Sequence, residues 1–560
     1  MMLALLALVC HCALGLTVRR SSDAPTVSVK NGTYTGIHNP TYNQDFFLGI
    51  PYAQAPIGDL RLQLPQPLNA TWSEPRQASQ YFPECVGYGG DQIGYDISED
   101  CLALNVVRPA GYEGQSLPTA VWIHGGAYVM GGATDRRYNL SFIVQKSVEI
   151  GKPIIAVSAA YRLSGWGFLD SREIRDAGLT NIGMHDQRAA LYWIQENIAA
   201  FGGDPSKVTI WGESAGAGSV GIHLIAYGGR DDGLFSGAIC ESGNSILLGT
   251  ANYDISDGQA IYNNITQATG CSSSSDTLAC LRSVDFGTLN AALNITPSYS
   301  FYPYEDGSLI QGSQYDQLNQ GNFVKVPLIS GANTDEGSAF GRRGINNDTA
   351  FSTYLANTGG KAPLNESTVT TLEAVYPNLP AVSDVLYNVP LDYQFNTTYG
   401  TQYRRAVAFG GDFFFHAARR LQCQSWSAQN VSAYCYRFNV VAYPLSNLTG
   451  STHFQEVAFV FNNLEGLGYA VNPFLGQPQT YRDLSDLMSR MWASFVHDGH
   501  PNGHGLSGYE DWPAYNVAIG GGVGMDYFFD ANTTSRPEAD SWRGEGIAYF
   551  NKLWKDVYGR

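Results

Sequence analysis

Thr209–Val220 reads TIWGESAGAGSV: a β-branched and aromatic run breaks at a glycine, passes one serine and continues in very small residues. A chain that turns sharply from a buried strand into a helix brings the two backbones almost into contact, and neighbours larger than glycine or alanine would collide there. The switch from strand to loop to helix recurs along the chain. TAVWIHGG (from Thr119), PIIAVSAAYR (from Pro153), KVTIWG (from Lys207) and FVKVPLISG (from Phe323) read as short buried strands followed by glycine-bearing loops. Between the second and third lies HDQRAALYWIQENIAAFGGDP. Leu191, Ile194 and Ile198 share one helical face there, and Gly202-Gly203-Asp204-Pro205 stops the helix. Such alternation predicts an α/β fold, a large, mostly parallel central sheet with helices on both faces. No repeat, low-complexity tract or Pro/Ser-rich linker divides the chain, so residues 21–560 are expected to form one domain whose long insertions carry the substrate site.

The beginning of the chain is of another kind. MMLALLALVCHCALGLTVRR is apolar up to Ala13-Leu14-Gly15, a small-x-small pattern, and too short to span a bilayer. It reads as a signal peptide, residues 1–15, although its first residues lack the usual positive charge; Arg19-Arg20 offers a further processing site. No later segment is long and apolar enough to anchor the chain in a membrane. Eleven Asn-x-Ser/Thr sequons, at Asn31, Asn69, Asn139, Asn264, Asn294, Asn347, Asn365, Asn396, Asn430, Asn447 and Asn532, suit a secreted, extracellular protein carrying N-glycans. Of nine cysteines, Cys10 and Cys12 leave with the signal. Neighbours in sequence suggest the bridges Cys85–Cys101, Cys271–Cys280 and Cys423–Cys435, leaving Cys240, in the apolar run LFSGAIC, as a buried thiol. A net charge of −17 repels phosphate backbones and argues against a nucleic-acid partner.

Gly212-Glu213-Ser214-Ala215-Gly216 is a weak signal alone in a chain with 62 glycines. Its setting strengthens it, because Val208–Trp211 forms a strand before it and Ala215–Ser219 opens a small-residue helix after it. A serine hydroxyl becomes a nucleophile only when a base takes its proton and a third group orients the base. The oxyanion formed by its attack needs backbone donors aimed in advance. Ala215 N–H is one such donor, and His124-Gly125-Gly126-Ala127-Tyr128, after an earlier strand, lies where the others belong. For the acid, the residues leave Asp335 and Glu336 equally open.

EDCLALNV (from Glu99), NIGMHDQRAALYWIQENIAAFGGDPSKVTIWGESAGAGSV and GANTDEGSAF are each similar to signatures of the type-B carboxylesterase/lipase family of the α/β-hydrolase fold. YRLSGWGFLD and GCSSSSDTLACLRSV most resemble its secreted fungal lipases and sterol esterases. The resemblance implies Ser214 as nucleophile, Glu336 as the acid and His453, in STHFQEVAFVF, as the base, in the order Ser–acid–His that the fold requires. It implies an oxyanion hole of Gly126, Ala127 and Ala215 with Gly125 shaping the loop. Glu213 and Ser242 match polar positions behind the triad, where a purely structural role is equally open. It implies no cofactor and no metal.

Two departures bear on substrate. Ala127 replaces the family's third glycine, so a methyl group intrudes where bulky alcohols would sit. The loop VGYGGDQIGYDISED between Cys85 and Cys101 is shorter than the lid of the fungal lipases, is not expected to cap the site, and lacks the tryptophan that stacks on choline. The choice of ester is expected to reside in the insertions, this loop above all. His497, His500 and His504 have a spacing compatible with a metal, yet no cysteine or clustered carboxylate completes a first shell. His223 and His416 read as histidines satisfied within helices, and His124 as a shaper of the oxyanion loop. The expected function is a secreted serine carboxylesterase acting on a small-molecule ester. The alternatives are a lipase or sterol esterase acting on water-insoluble esters and, more remotely, a non-catalytic cholinesterase-like adhesion protein.

Overall fold

The computed structural model describes residues 24–246, 253–294, 300–518 and 522–560. The expected leader and the Arg19-Arg20 pair lie outside them. Eleven strands form the central sheet: β1 (Ile37–Asn39), β2 (Gln44–Pro51), β3 (Ala103–Pro109), β4 (Leu117–Ile123), β5 (Ile155–Ala159), β6 (Gly203–Glu213), β7 (Gly237–Glu241), β8 (Leu328–Asn333), β9 (Ala433–Phe438), β10 (Met525–Phe529) and β11 (Arg536–Ala539). Their spatial order is β11-β10-β9-β8-β7-β6-β4-β5-β3-β2-β1. The run from β10 to β5 is parallel, and antiparallel strands close both edges.

Side-chain alternation along the strands assembles two cores, because successive residues of a strand face opposite sides of the sheet. Val121, Ile123, Val208 and Ile210 pack into one cluster with Leu191, Ile194 and Val220; Ala120, Trp122 and Trp211 pack into the other with Ile143, Met488 and Trp492. Helices Ile182–Asn197 and Ala215–Gly229 therefore cover one face, and Leu140–Glu149 and Gln479–Asp498 the other. Apolar residues on both sides of each strand explain why the central strands read as continuous hydrophobic runs.

Most expected elements stand where the sequence placed them, with adjusted ends. The helix before β6 runs Ile182–Asn197, tightens into a 3₁₀ turn over Ile198–Phe201 and ends at Gly202, whose φ of +87° suits glycine. The strand expected from Phe323 begins only at Leu328. Pro327 has no N–H to give to a ladder, and Phe323–Val326 runs past the helix Ala215–Gly229 instead, with Val324 N–H bonded to Leu224 O.

The order β7-β6-β4-β5 holds the feature that positions the site. From β4 the chain moves outward to β5 and then crosses back to β6 on the other side of β4. The loops leaving β4 and β6 therefore diverge to opposite faces and leave a crevice at the carboxyl ends of two neighbouring strands. His124–Tyr128 follows β4 and Ser214 follows β6.

Candidate active site

Ser214 stands between the last residue of β6 and the first of its helix with φ +56° and ψ −123°, a conformation that L-residues rarely adopt. The turn holds because the helix lies hard against β4: a Cβ on Gly216 would be 2.0 Å from Ile123 O. Ser214 N–H is tied to Glu241 O at 2.9 Å, so the hydroxyl is presented outward on a rigid backbone.

The hydroxyl meets His453. Ser214 Oγ lies 2.8 Å from His453 Nε2, and His453 Nδ1 lies 2.7 Å from Glu336 Oε2. The other carboxylate oxygen of Glu336 accepts from Ser242 Oγ at 2.6 Å and from Asn333 N–H at 2.9 Å, so the acid is fixed at both ends. Asp335, one residue away, is turned elsewhere: its oxygens accept from the N–H groups of Leu386 and Ser451 at 2.6 and 2.7 Å, and burial pushes its pKa up to about 6. Of the two carboxylates left open, Glu336 is the one that faces the imidazole. Burial opposes charging His453, yet Glu336 at Nδ1 and Glu213 near Nε2 outweigh it and lift its pKa from 6.5 to about 9.

The loop after β4 turns through Gly126 (φ +98°), Ala127 (φ +55°) and Tyr128 (φ +62°). A Cβ on Gly126 would stand 2.2 Å from Met130 O. The N–H groups of Gly126, Ala127 and Ala215 find no acceptor among the described residues. His124 lies beneath, fully buried, stacked on Tyr161 at 4.5 Å, with Nδ1 2.9 Å from Gly125 O. Burial lowers its pKa to about 4, so it serves the loop as a neutral ring.

A model of the carboxylesterase family matches residues 23–525. The chain belongs to that family. It is similar to Lipase 2 of Diutina rugosa, 34% identical over 546 residues that cover 90% of this chain and 92% of the relative. It is also similar to Secreted lipase 1 of Botryotinia fuckeliana, 34% identical over 545 residues, 89% of each chain. The crystal structure of Aspergillus niger EstA superposes with a TM-score of 0.81 at 28% identity, covering 96% of this chain and 99% of that one. This carboxylesterase-family chain is a carboxylic ester hydrolase with the α/β-hydrolase fold.

Above Ser214 this ester hydrolase has a cavity of about 180 Å³ lined by Ala127, Tyr128, Ile246, Tyr302 and the trio Phe340, Phe414 and Phe415. Phe340 and Phe415 each pack on the His453 ring with centroids 4.9 Å away. Phe414 and Phe415 project from Asp412–His416, a π-helical turn inside a longer helix that rotates side chains off the regular spacing. The Cys85–Cys101 loop, expected to govern the choice of ester, contributes nothing to this lining. It backs the loop after β4 instead, with Tyr88 N–H bonded to Val129 O at 2.6 Å and Gln92 Nε2 to Gly131 O at 2.9 Å. The disulfide-closed loop lies behind Val129 and Gly131 rather than over the serine.

Glu213 and Ser242 are buried beside Ser214, His453 and Glu336, with Glu213 Oε1 3.2 Å from His453 Nε2. Desolvation pushes the Glu213 carboxyl well above its ordinary pKa. Sequence reasoning missed Glu456, Asn333 and the phenylalanine trio. The signal for Glu456 was its place three residues after His453, just before the helix that begins at Val457. Disulfides join Cys85–Cys101, Cys271–Cys280 and Cys423–Cys435, and Cys240 is a buried free thiol whose pKa burial raises to about 12. His223 is buried in its helix against Gln187 Oε1, and His416 against the edge of Trp542. His497 pairs with Asp498 at 2.7 Å.

Proposed function

We propose that this chain is a secreted serine carboxylesterase that hydrolyses compact, water-soluble carboxylic esters through Ser214, His453 and Glu336. The observation that carries the reading is the unbroken line Ser214 Oγ–His453 Nε2, His453 Nδ1–Glu336 at 2.8 and 2.7 Å under an apolar cavity. Neutral His453 takes the Ser214 proton as Oγ attacks the ester carbonyl carbon, and the carbonyl π pair moves onto oxygen. The oxyanion is met by the N–H groups of Gly126, Ala127 and Ala215, a term of about 3 kcal/mol for a single donor in comparable sites. Collapse breaks the bond to the alcohol oxygen, which leaves with the proton from His453. Water, deprotonated by the same imidazole, then attacks the acyl-enzyme and releases the acid and Ser214.

A lipase or sterol esterase is a second reading, supported by relatives named lipases and by the phenylalanine wall. Rates on short esters against triolein emulsions, below and above the solubility limit, separate the two. Activity rising only at the interface favours the lipase. The relative named a secreted lipase, the leader-like residues 1–15 and the sequons support export with N-glycans, which a mass shift on enzymatic deglycosylation tests. Ser214→Ala is expected to abolish ester turnover in a panel varied separately in acyl and alcohol parts. Full activity in that variant would end the proposal.

A further inference from the structure

Behind Glu336 lies a second fully buried carboxyl that the reaction above does not use. Glu456 Oε1 is 3.1 Å from Ser242 Oγ, and its Oε2 accepts from Asn333 Nδ2. Ser242 is thus placed between two carboxyl groups, with Glu336 Oε1 at 2.6 Å on its other side. A hydroxyl has one proton to give. The shorter contact is the one a hydroxyl makes to a carboxylate. The 3.1 Å contact to Glu456 is then oxygen against oxygen, and it is a hydrogen bond only if Glu456 brings the proton. The donors are distributed the same way. Glu336 receives three, from Ser242, Asn333 N–H and His453 Nδ1, whereas Glu456 receives the Asn333 amide and its own backbone N–H.

We propose that Glu456 is a positioning residue that works as a neutral carboxylic acid: it donates to Ser242 Oγ, Ser242 donates to Glu336, and Glu336 remains the only anion on the Nδ1 side of His453. Resting on the Ser–His–Glu reading above, the proposal adds a fourth member that acts through Ser242 and touches neither ester nor imidazole.

The surroundings agree with a proton on Glu456. Burial and then the neighbouring Glu336 raise its pKa to about 7, with His453 pulling the other way. Also facing it are the carboxyls of Glu213 and Glu241 and the phenols of Tyr436 and Tyr469. Glu241 is occupied by the indoles of Trp211 and Trp492 and is itself pushed up by burial. Ionisation of Glu456 would withdraw the donor from Ser242 and add a negative charge that favours the imidazolium. Either change leaves less of the neutral base at a given pH.

The test compares wild type, Glu456→Gln and Glu456→Ala by kcat and KM across pH and by infrared difference spectroscopy. Glutamine keeps a donor for Ser242 and an acceptor for Asn333 but cannot ionise. One pH unit below the value of about 7, Glu456→Gln is expected to keep kcat within about twofold of wild type. One unit above it, the glutamine variant should exceed wild type, because it adds no charge beside His453. Glu456→Ala is expected to lose kcat by about tenfold with KM unchanged. Below that pH, wild type minus Glu456→Gln should show the carbonyl stretch of a protonated carboxylic acid. Absence of that band, a glutamine variant as damaged as the alanine one at low pH, or a flat ratio of variant to wild type across the range would each overturn the proposal. If Glu456→Ala does not fold, the glutamine profile and the infrared band still decide. The band is read without turnover, so it stands apart from Ser214→Ala, whose failure would instead strike the esterase reading.

Discussion

Replacing Glu336 by glutamine changes one oxygen for an NH₂ group, and the structure dictates which way the amide must lie. Two donors, Ser242 Oγ and Asn333 N–H, converge on Oε1 at 2.6 and 2.9 Å, so the amide oxygen has to take that place. Its NH₂ then faces His453 Nδ1, where a carboxylate oxygen accepted at 2.7 Å. The imidazole must put its lone pair on Nδ1 and its proton on Nε2, pointing at Ser214. That tautomer cannot accept the serine proton. The lost charge adds to the effect: two unit charges about 4 Å apart at an effective dielectric near 20 interact by about 4 kcal/mol, which the imidazolium of the transition state would forfeit. Together these predict a fall in kcat of about 10³- to 10⁴-fold with little change in KM, since Glu336 is fully buried and distant from the ester. The sign of the pH effect is fixed as well. Without the anion the imidazole loses the influence that lifts it to about 9, so the rising limb of kcat/KM moves to lower pH while its plateau drops. Asp335→Asn should leave kcat within about threefold, because its oxygens serve backbone N–H groups away from His453. Steady-state kinetics on a soluble ester, with circular dichroism as a check on folding, provide the assay. A glutamine variant retaining a tenth of wild-type kcat, or an asparagine variant at Asp335 as inactive as it, would refute the assignment of the acid.

Phe414→Ala and Phe340→Ala remove rings from the cavity of about 180 Å³ and should move the optimum toward longer or bulkier apolar arms, each added methylene worth at most about 0.8 kcal/mol. A series of esters of increasing chain length reads this as a crossover in kcat/KM. Gly216→Ala places a methyl 2.0 Å from Ile123 O and should cost about 2 kcal/mol or more, with activity lost in the folded fraction, measured by thermal melting and active-site titration. Opening the Cys85–Cys101 bridge with paired serines frees a loop closed over a separation of 16 residues, for a loss of about 3 kcal/mol. Because Tyr88 and Gln92 of that loop hold Val129 and Gly131, kcat should fall more than KM rises; an unchanged kcat would show that the oxyanion loop stands without its backing.

The legible part of this protein is the part whose causes are local. Strand identity comes from continuous apolar runs, the helix stop from Gly202-Gly203-Asp204-Pro205, and the serine turn from residues small enough to pass β4 at contact distance. The acid was not legible from its own neighbourhood. Asp335 and Glu336 share one loop, and what separates them is distant in sequence: Leu386 and Ser451 engage the first, Ser242 and His453 the second. The resemblance to a known family named Glu336, and of the two side chains that local chemistry could not rank it is the one that faces the imidazole.

The lining of the cavity was illegible for a related reason. A π-turn is set by hydrogen bonding within a longer helix, and Asp412-Phe413-Phe414-Phe415-His416 has no residue that announces it. Read at helical spacing, three consecutive phenylalanines look like core. The turn instead sends Phe414 and Phe415 to the cavity, while Arg543 holds Asp412 at its start with a bidentate pair, one contact being 2.8 Å. Ser214 and the Gly126–Ala127 loop follow β6 and β4, where the crossing of the chain makes a crevice. Phe414 and Phe415 come from the π-turn some two hundred residues later, anchored by Arg543, whereas Phe340 stands four residues after Glu336. Part of the cavity wall is therefore carried by a stretch remote from the serine turn, while Ala127, Tyr128 and Phe340 belong to the segments of the site itself. Changes at Phe414 should redirect substrate preference while leaving the geometry of Ser214, His453 and Glu336 intact, whereas changes at Phe415, which packs on the His453 ring, should disturb both.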